Sequence, residues 1–353
     1  MSSNRDWKKQ LGQLLERHNT VHAGSRQHRQ VSYRTMAARA EGLFRSFVML
    51  RALGYQLAPY GLGGRHIAHL VLHWCGLPPP EGAPPPPGAP APKRRSAAYL
   101  QQQLSFLRVF AGWIGKAGMV HPARYYLPKE HHALVRRNVT ASYDHSLAGQ
   151  GIDAAAVVQK VAALDPWVGV QLQLMWAFGL RRKEAVMFCP HLAEVPAGAL
   201  PANAEADTKY LSFLAVRRGT KGGRLRYTAV RNPMQREALA AACALAGRPG
   251  AHVGKPGLSL KQSLERFSYI VRKAGLTRAQ LGATSHGLRH QFAHDLYFEL
   301  TGAYAPVRGG ETDPATMAAA YLEVAHQVGH GRLQISGAYL GARRPAAGMG
   351  GQP

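Results

Sequence analysis

The chain has 353 residues, of which 46% are hydrophobic and 18% are charged, a composition typical of a folded globular protein rather than a disordered one. Its 44 Lys and Arg residues outnumber its 19 Asp and Glu residues, which gives a formal net charge of +25 at pH 7. Such an excess favours a polyanionic partner, such as a nucleic acid, over a small acidic ligand. A GC-rich genome that substitutes Arg and Ala throughout is the alternative explanation for part of the excess.

The cysteines and the N-terminus exclude several classes of protein. Cys75, Cys189 and Cys243 are widely separated, so the sequence indicates neither a disulfide framework nor a structural zinc site. The N-terminus lacks the apolar segment of a signal peptide, and no apolar run reaches the roughly 18 residues that a membrane helix needs. We therefore expect a cytoplasmic protein without a membrane partner.

The first half of the chain predicts helices. We interpret residues 1–30 as a basic N-terminal segment and residues 31–140 as a helical domain, because apolar residues recur there at helical spacing. Residues 79–92 read PPEGAPPPPGAPAP, and so many prolines cannot join a helix or a central strand. This stretch is interpreted as an insertion within the helical domain rather than a linker between two folds.

The pattern changes near residue 150. Residues 153–188 predict two helices with a break at Pro166, and residues 210–230 predict two strands around a glycine-rich turn. We predict a mainly α-helical domain with a small antiparallel β-sheet at residues 151–341, followed by a flexible tail at residues 342–353. The domain boundary is expected within residues 138–151.

Four short stretches of the second half carry residues that reactive sites use. The first, GLRRKE, places Arg181 and Glu184 three residues apart, and the second, RGTKGGRLR, places Lys221 at the tip of the predicted hairpin. Taken alone, the first is most simply a solvated salt pair and the second an exposed lysine in a turn.

The third stretch, TSHGLRHQFAHDLY, predicts a helix that Thr284 or Ser285 caps and that carries several histidines. His290 and His294 have the spacing of zinc ligands, but Gln291 stands where the helix of a zinc protease has its catalytic glutamate. No third ligand is apparent, so the stretch does not predict a metal site.

The fourth stretch, QVGHGRLQISGAYLG, places His330 nine residues before Tyr339. In chain order the four stretches give Arg, Lys, His-x-x-Arg, His and Tyr, and this ordered set resembles the phage-integrase family of tyrosine recombinases. The resemblance covers roughly residues 153–341. The helical region before it is similar, more loosely, to the core-binding domain of that family.

The resemblance implies a site-specific recombinase that cleaves and rejoins double-stranded DNA through a 3′-phosphotyrosyl intermediate, without metal, ATP or another cofactor. It makes Tyr339 the nucleophile, because a tyrosyl ester keeps the energy of the phosphodiester bond. Guanidinium forks match the phosphate oxygens, and a lysine ammonium can protonate the leaving 5′-oxygen. The residues carried over are Arg181, Lys221, His286, Arg289, His330 and Tyr339, with Glu184 as a carboxylate that orients the site.

The resemblance also implies a homo-oligomer, a tetramer on paired DNA sites, with accessory DNA-bending proteins and a nucleoid-associated location. Two alternatives stay open, a type IB topoisomerase-like enzyme and a non-catalytic DNA-binding protein of the same fold. The 41 residues from Arg289 to His330 predict an inserted loop, and the tail after Tyr339 is short for a helix that docks on a neighbouring subunit.

Overall fold

The computed structural model describes residues 6–21, 30–79, 86–202, 209–329 and 335–342. The predicted tail therefore falls outside these ranges, except for Ala342. The chain divides into two compact units, Met1–Arg137 and Asn138–Pro353. None of the helices in the described ranges combines the length and the apolar character needed to cross a lipid bilayer.

The described part of the first unit is helical, with α1 (Trp7–His18), α2 (Tyr33–Ala52), α3 (Gly64–Cys75) and α4 (Ala97–Trp113). Shorter 3-10 segments span Pro59–Gly61, Ala123–Tyr126 and Lys129–Val135. The helices enclose one core, in which Phe47 stacks on Trp7 and lies edge-on to Phe110. Because α1 buries Trp7 in this core, the predicted basic segment at residues 1–30 contributes a helix to the first unit.

Serine caps begin two of these helices. The Ser32 hydroxyl accepts a hydrogen bond from the N–H of Thr35 at 3.3 Å, and the Ser96 hydroxyl accepts one from the N–H of Tyr99 at 3.2 Å. Each bond satisfies an N–H group of the first turn, which has no partner within its own helix. At its other end, α3 stops at Gly76, which has a φ of +76° that an L side chain rarely adopts.

The proline-rich stretch, residues 79–92, follows the end of α3, and its residues 80–85 lie outside the described ranges. Directly after it, the N–H of Lys93 donates a hydrogen bond to the carbonyl of His73 at 3.0 Å. This bond satisfies a carbonyl of the last helical turn. The chain therefore returns to the helix end that it left.

The described part of the second unit contains, in chain order, α5 (Ala154–Leu164), α6 (Pro166–Phe178), α7 (Arg182–Val186), β1 (Glu194–Pro196), β2 (Ser212–Val216), β3 (Arg226–Ala229), α8 (Pro233–Ala246), α9 (Leu260–Lys273), α10 (Arg278–Leu281), α11 (His286–Thr301), α12 (Pro314–Gln327) and α13 (Gly337–Leu340). The three strands form an antiparallel sheet in the order β1-β2-β3. The mainly α-helical fold with a small antiparallel sheet is confirmed.

The predicted break at Pro166 is also confirmed, since α5 ends two residues before it and α6 begins on it. Pro166 occupies the first position of α6, where no N–H group is needed for a helical hydrogen bond. The carboxylate of Asp165 accepts hydrogen bonds from Trp167 N–H at 3.0 Å and Val168 N–H at 3.2 Å. Local sequence alone therefore determines this boundary.

The β2–β3 hairpin lies against the start of α7. Phe213 pairs with Ala229 near its open end, and Lys221–Gly223 forms a 3-10 turn between the strands. Gly219 has a φ of +79°, and a Cβ atom there would lie 2.6 Å from the carbonyl oxygen of Lys183. Only glycine fits so close to α7, which fixes the base of the turn beside that helix.

The helix α11 is the central helix of the second unit and packs against α6, α12 and α13. Every residue from 287 to 294 is buried, so polar side chains on this stretch need partners inside the protein. Ser285 precedes the first helical residue, as predicted, but its side chain makes no capping hydrogen bond, so the predicted capping role is wrong for this residue.

Candidate active site

Arg289 of α11 lies at the centre of a buried polar cluster and is 0% exposed. Its Nε donates a hydrogen bond to the hydroxyl of Tyr339 at 3.0 Å, and its two terminal nitrogens donate to the carbonyls of Gly179 and Val328. Burial lowers the pKa of Arg289 to about 10, so the guanidinium keeps its charge at neutral pH. The structure thus brings together two of the residues that the sequence nominated, which are 50 positions apart.

Arg181 and Glu184 form a capping box at the start of α7. The carboxylate of Glu184 accepts hydrogen bonds from the backbone N–H of Arg181 at 2.8 Å and from its guanidinium at 2.6 Å. The Glu184 side chain is 0% exposed and that of Arg181 is 25% exposed. The simpler interpretation of this pair, a solvated salt pair, is therefore wrong.

A third arginine, which the sequence analysis missed, completes the cluster. Arg226 on β3 donates to the second oxygen of Glu184 at 2.9 Å and also to Thr228 and the carbonyl of Gln327. The available signal was strand alternation, because Arg226 and Thr228 are buried on one face of β3 whereas Tyr227 is only half-buried.

The charges of the cluster determine the ionisation of its carboxylate. Burial alone would raise the pKa of Glu184, but the positive charges of Arg226 and Arg181 outweigh this effect and lower the pKa to about 2. Glu184 is therefore ionised at neutral pH. Three guanidinium groups minus one carboxylate leave this cluster with a surplus of two positive charges.

Tyr339 lies on the short helix α13 and is 6% exposed. The helix is held from both sides, since the carbonyl of Gly337 accepts a hydrogen bond from the N–H of Ala141 at 2.8 Å and the hydroxyl of Ser336 donates to the carbonyl of Tyr321 at 2.6 Å. The ring of Tyr339 lies 4.7 Å from the ring of His290, centroid to centroid. These contacts hold the hydroxyl toward Arg289 in the present arrangement.

An open cleft of about 450 Å³ is lined by His286, His290 and Ala338, the residue before Tyr339, and we call it the active-site cleft. His286 is exposed at this cleft, and its ring centroid lies 6.5 Å from that of Tyr339. Shielding from water by the cleft walls, together with the charges of Arg289 and Arg181, lowers the pKa of His286 to about 4. The imidazole is therefore neutral at pH 7 and can accept a proton.

The structure does not place two further candidate residues, Lys221 and His330, in the cluster. Lys221 is exposed on the turn of the β2–β3 hairpin, and its side chain forms no hydrogen bond or ion pair with another residue in the described ranges. The structure therefore does not bring Lys221 into the cluster. His330 lies outside the described residues, although Val328 and Gly329, just before it, contact Arg289 and Arg226, respectively.

His294 has an acidic partner. Its Nε2 lies 3.1 Å from a carboxylate oxygen of Asp144, and Arg308 donates to the other oxygen at 2.6 Å. Arg308 belongs to the loop that the sequence predicted as an insertion, so this loop is anchored on the second unit. Within the described ranges, no group of three or more His, Cys, Asp or Glu side chains is arranged to hold a metal ion.

Part of the second unit matches a known protein family. A sequence model of the integrase family matches residues 135–295, a range that contains Arg181, Glu184, Lys221, His286 and Arg289 and ends before Tyr339. Residues 135–295 are therefore similar in sequence to the integrases, as the resemblance to tyrosine recombinases implied. This match, together with the fold, supports a tyrosine site-specific recombinase that acts in site-specific DNA recombination.

A solved structure shows the same fold. This recombinase resembles a lambda integrase dimer bound to a COC′ core site, with 14% identity, a TM-score of 0.50, and coverage of 93% of this chain and 76% of that one. It also resembles the XerH site-specific recombinase bound to its difH substrate, with 13% identity, a TM-score of 0.47, and coverage of 95% and 92%. No curated protein sequence matches the recombinase significantly.

Proposed function

We propose that this recombinase cleaves and rejoins double-stranded DNA at specific sites through a covalent 3′-phosphotyrosyl intermediate on Tyr339. The observation that carries the proposal is the 3.0 Å hydrogen bond from Arg289 Nε to the Tyr339 hydroxyl. It puts the attacking oxygen next to a buried cation that can hold a phosphate. The integrase match at residues 135–295 supports the reaction class, and this geometry supports the assignment of the nucleophile.

The covalent step exchanges one ester for another. The hydroxyl oxygen of Tyr339 attacks the phosphorus, the bond from phosphorus to the 5′-oxygen breaks, and the 3′-phosphate stays linked to the tyrosine. A 5′-hydroxyl of the same or another strand later attacks this ester and releases the tyrosine, so that bond energy is conserved without ATP. Because both steps are transesterifications, the reaction needs neither an oxidant nor a hydrolytic water.

The arginine cluster suits the charge that develops in this step. The phosphodiester enters with one negative charge, and the transition state gathers more on its non-bridging oxygens. The surplus of two positive charges among Arg181, Arg226, Arg289 and Glu184 matches that state better than it matches the ground state. Arg181 and Arg289 are the proposed phosphate ligands, whereas Arg226 and Glu184 hold them in place.

The two proton transfers are assigned from the acid–base properties of the side chains. The phenol must lose a proton, and His286, whose neutral ring lies 6.5 Å from the ring of Tyr339, centroid to centroid, is the proposed acceptor. The leaving 5′-oxygen must gain a proton, and a lysine ammonium can give one whereas an arginine guanidinium cannot. Lys221 is the proposed donor, on the hairpin whose Gly219 contacts α7. His330 is proposed as a hydrogen-bond donor to the phosphate.

The partners are proposed from charge and from the relatives. The net charge of +25 supports extensive contacts with the phosphates of a DNA backbone. Structures of similar fold are a lambda integrase tetramer bound to a Holliday junction and XerH bound to difH DNA. We propose that this chain also binds double-stranded DNA, and that four copies assemble on paired sites.

The test is a Tyr339→Phe substitution assayed on nicked duplexes made from the ends of the protein's own genetic element. The variant should fold and bind DNA as the wild type does but form no covalent adduct, because only the hydroxyl is lost. Tyr304→Phe, which changes a 58% exposed tyrosine, is the matched control and should form the adduct normally.

Peptide mapping of the trapped adduct identifies the nucleophile directly. A DNA-linked peptide that contains another tyrosine would overturn the assignment of Tyr339. Full activity of Tyr339→Phe would show that the residue only packs its ring. Relaxation of supercoiled DNA without strand exchange between duplexes would favour the topoisomerase-like alternative.

A further inference from the structure

A second cleft, which we call the arginine cleft, opens between α7, α9, α10 and the start of α11, and has a volume of about 380 Å³. Its floor is apolar and includes Phe267 and Leu276. Its rim carries Arg182, Arg272 and Arg278. None of the described residues that line this cleft is acidic, so the positive charge of its rim is not neutralised by the walls.

Two of the three rim arginines are available to a ligand. Arg182 is already positioned, since it donates a hydrogen bond to the hydroxyl of Ser268 at 2.7 Å and lies over the ring of Phe267. Arg272 and Arg278 are exposed, and within the described ranges neither forms a hydrogen bond or an ion pair. Guanidinium groups around an apolar floor suit a ligand that has an anionic edge and an apolar face.

The arginine cleft adjoins the active-site cleft, because Arg278 and Thr284 line both. The start of α7 also connects the buried arginine cluster with the arginine cleft. Arg181 turns toward Glu184 in the buried cluster, whereas the next residue, Arg182, turns toward Ser268 in the arginine cleft. Consecutive phosphates of one DNA strand lie roughly 3.4 Å apart along the helix axis, so adjacent residues can serve adjacent phosphates.

We propose that the arginine cleft binds the deoxyribose-phosphate unit next to the cleaved phosphate. The apolar floor packs against the sugar, and Arg272 and Arg278, together with Arg182, hold the neighbouring phosphate. This inference rests on the proposed function, because the position of the cleaved phosphate defines the neighbouring one. The cleft thereby fixes the register of the strand, so that the correct phosphate faces Tyr339.

The test uses a nicked duplex that carries the recombination site, in which one methylphosphonate replaces, in turn, the phosphate on either side of the cleaved one. A methylphosphonate keeps the backbone but removes its negative charge. Rates of adduct formation are measured for the wild type, for the double variant Arg272→Ala/Arg278→Ala and for Arg248→Ala. The last is the matched control, because Arg248 is an exposed arginine of the same unit that lines neither cleft.

For the wild type, a methylphosphonate at one of the two positions should slow adduct formation about tenfold, the effect of losing a charge-assisted hydrogen bond. The double variant should be slowed to a similar extent on unmodified DNA, and that same methylphosphonate should slow it no further. Arg248→Ala should behave as the wild type does. Thermal unfolding of the double variant should be unchanged, since both side chains are exposed and make no hydrogen bond or ion pair within the described ranges.

The proposal is overturned if the effects of the methylphosphonate and of the substitutions multiply at both positions, or if neither methylphosphonate slows the wild type. A double variant that cleaves unmodified DNA at the wild-type rate would also overturn it, and would direct the cleft to another anionic partner such as an acidic peptide. If wild-type protein formed no adduct on unmodified DNA, the proposed function itself would fail, and the inference with it.

Discussion

Substitution of Glu184 by Gln should damage both the fold and the activity of the second unit. The wild-type carboxylate is 0% exposed and receives hydrogen bonds from Arg181 and Arg226. Gln keeps the volume but removes the charge, and its amide group must turn a donor toward one of these donors. Two guanidinium groups then lose their shared counter-ion, and that of Arg226 is almost fully buried.

The size of the effect follows from the pKa of Glu184, which falls from 4.5 to about 2 in the folded protein. Since each pKa unit corresponds to about 1.4 kcal/mol, the folded state favours the ionised carboxyl by roughly 3 kcal/mol. Removing one partner of a buried ion pair typically costs about 3–5 kcal/mol, which agrees. The free energy of unfolding should fall by that amount. Because the folded pKa is depressed, this stabilisation is complete above pH 4.5 and is lost as the pH falls toward 2.

Hydrogen exchange of peptides from α6 and α11 in the full-length protein measures the stability of this unit. Adduct formation on nicked DNA should fall about 10²-fold as well, because Arg181 loses its anchor. The control is Glu265→Gln, which breaks an exposed pair with Lys261 at 4.0 Å and should change stability by less than about 0.5 kcal/mol. A Glu184→Gln protein as stable and active as the control would refute the reasoning.

Three further changes have defined outcomes. Lys221→Ala should block cleavage of normal DNA, and a sulfur in place of the leaving 5′-oxygen should restore it, because a thiolate leaves without a proton; no rescue would move the acid role elsewhere. Gly329→Ala should destabilise the second unit by about 1–3 kcal/mol in hydrogen exchange, because Gly329 has a φ of +70° and an added Cβ would lie 2.2 Å from Cδ of Arg226. Burial and the charges of Arg65 and Lys116 lower the pKa of His66 to about 4 in the folded protein. Between pH 7 and pH 5 this histidine therefore becomes protonated in the unfolded chain but stays neutral in the folded one, so the free energy of unfolding of the first unit should fall by about 2 kcal/mol. Urea unfolding of wild type and His66→Gln checks this, and an equal pH dependence in both would contradict it.

Features set by neighbouring residues could be predicted from the sequence. The break between α5 and α6 depends on Asp165 and Pro166 alone, and the hairpin depends on two strand-forming runs around glycines. The order of reactive residues along the chain was also sufficient to indicate the family. The pairing of Arg289 with Tyr339 remained a resemblance until the fold brought α11 and α13 together.

Features set by distant residues could not be predicted. Arg226 contacts Glu184, 42 positions away, and the carbonyl of Gln327, 101 positions away. No local sequence pattern predicts contacts between residues so far apart in the chain. The same holds for the contact of Arg308 with Asp144, 164 positions away. The sequence predicted only that this loop is long. That its arginine anchors the segment before α5 emerges only from the packed structure.

The three acceptors of Arg289 bear on how activity can be judged in proteins that share this arrangement. Its guanidinium ties the carbonyls at the ends of α6 and α12 together as well as the hydroxyl of Tyr339. A lysine ammonium is a compact point charge and cannot donate hydrogen bonds to all three acceptors. Selection for folding alone would therefore preserve the arginine after catalysis was lost. A relative that retains this arginine could therefore be an inactive descendant that still folds. A Phe in place of Tyr339 would leave the two carbonyl contacts of Arg289 intact, and it would indicate an enzyme that has become a binding protein.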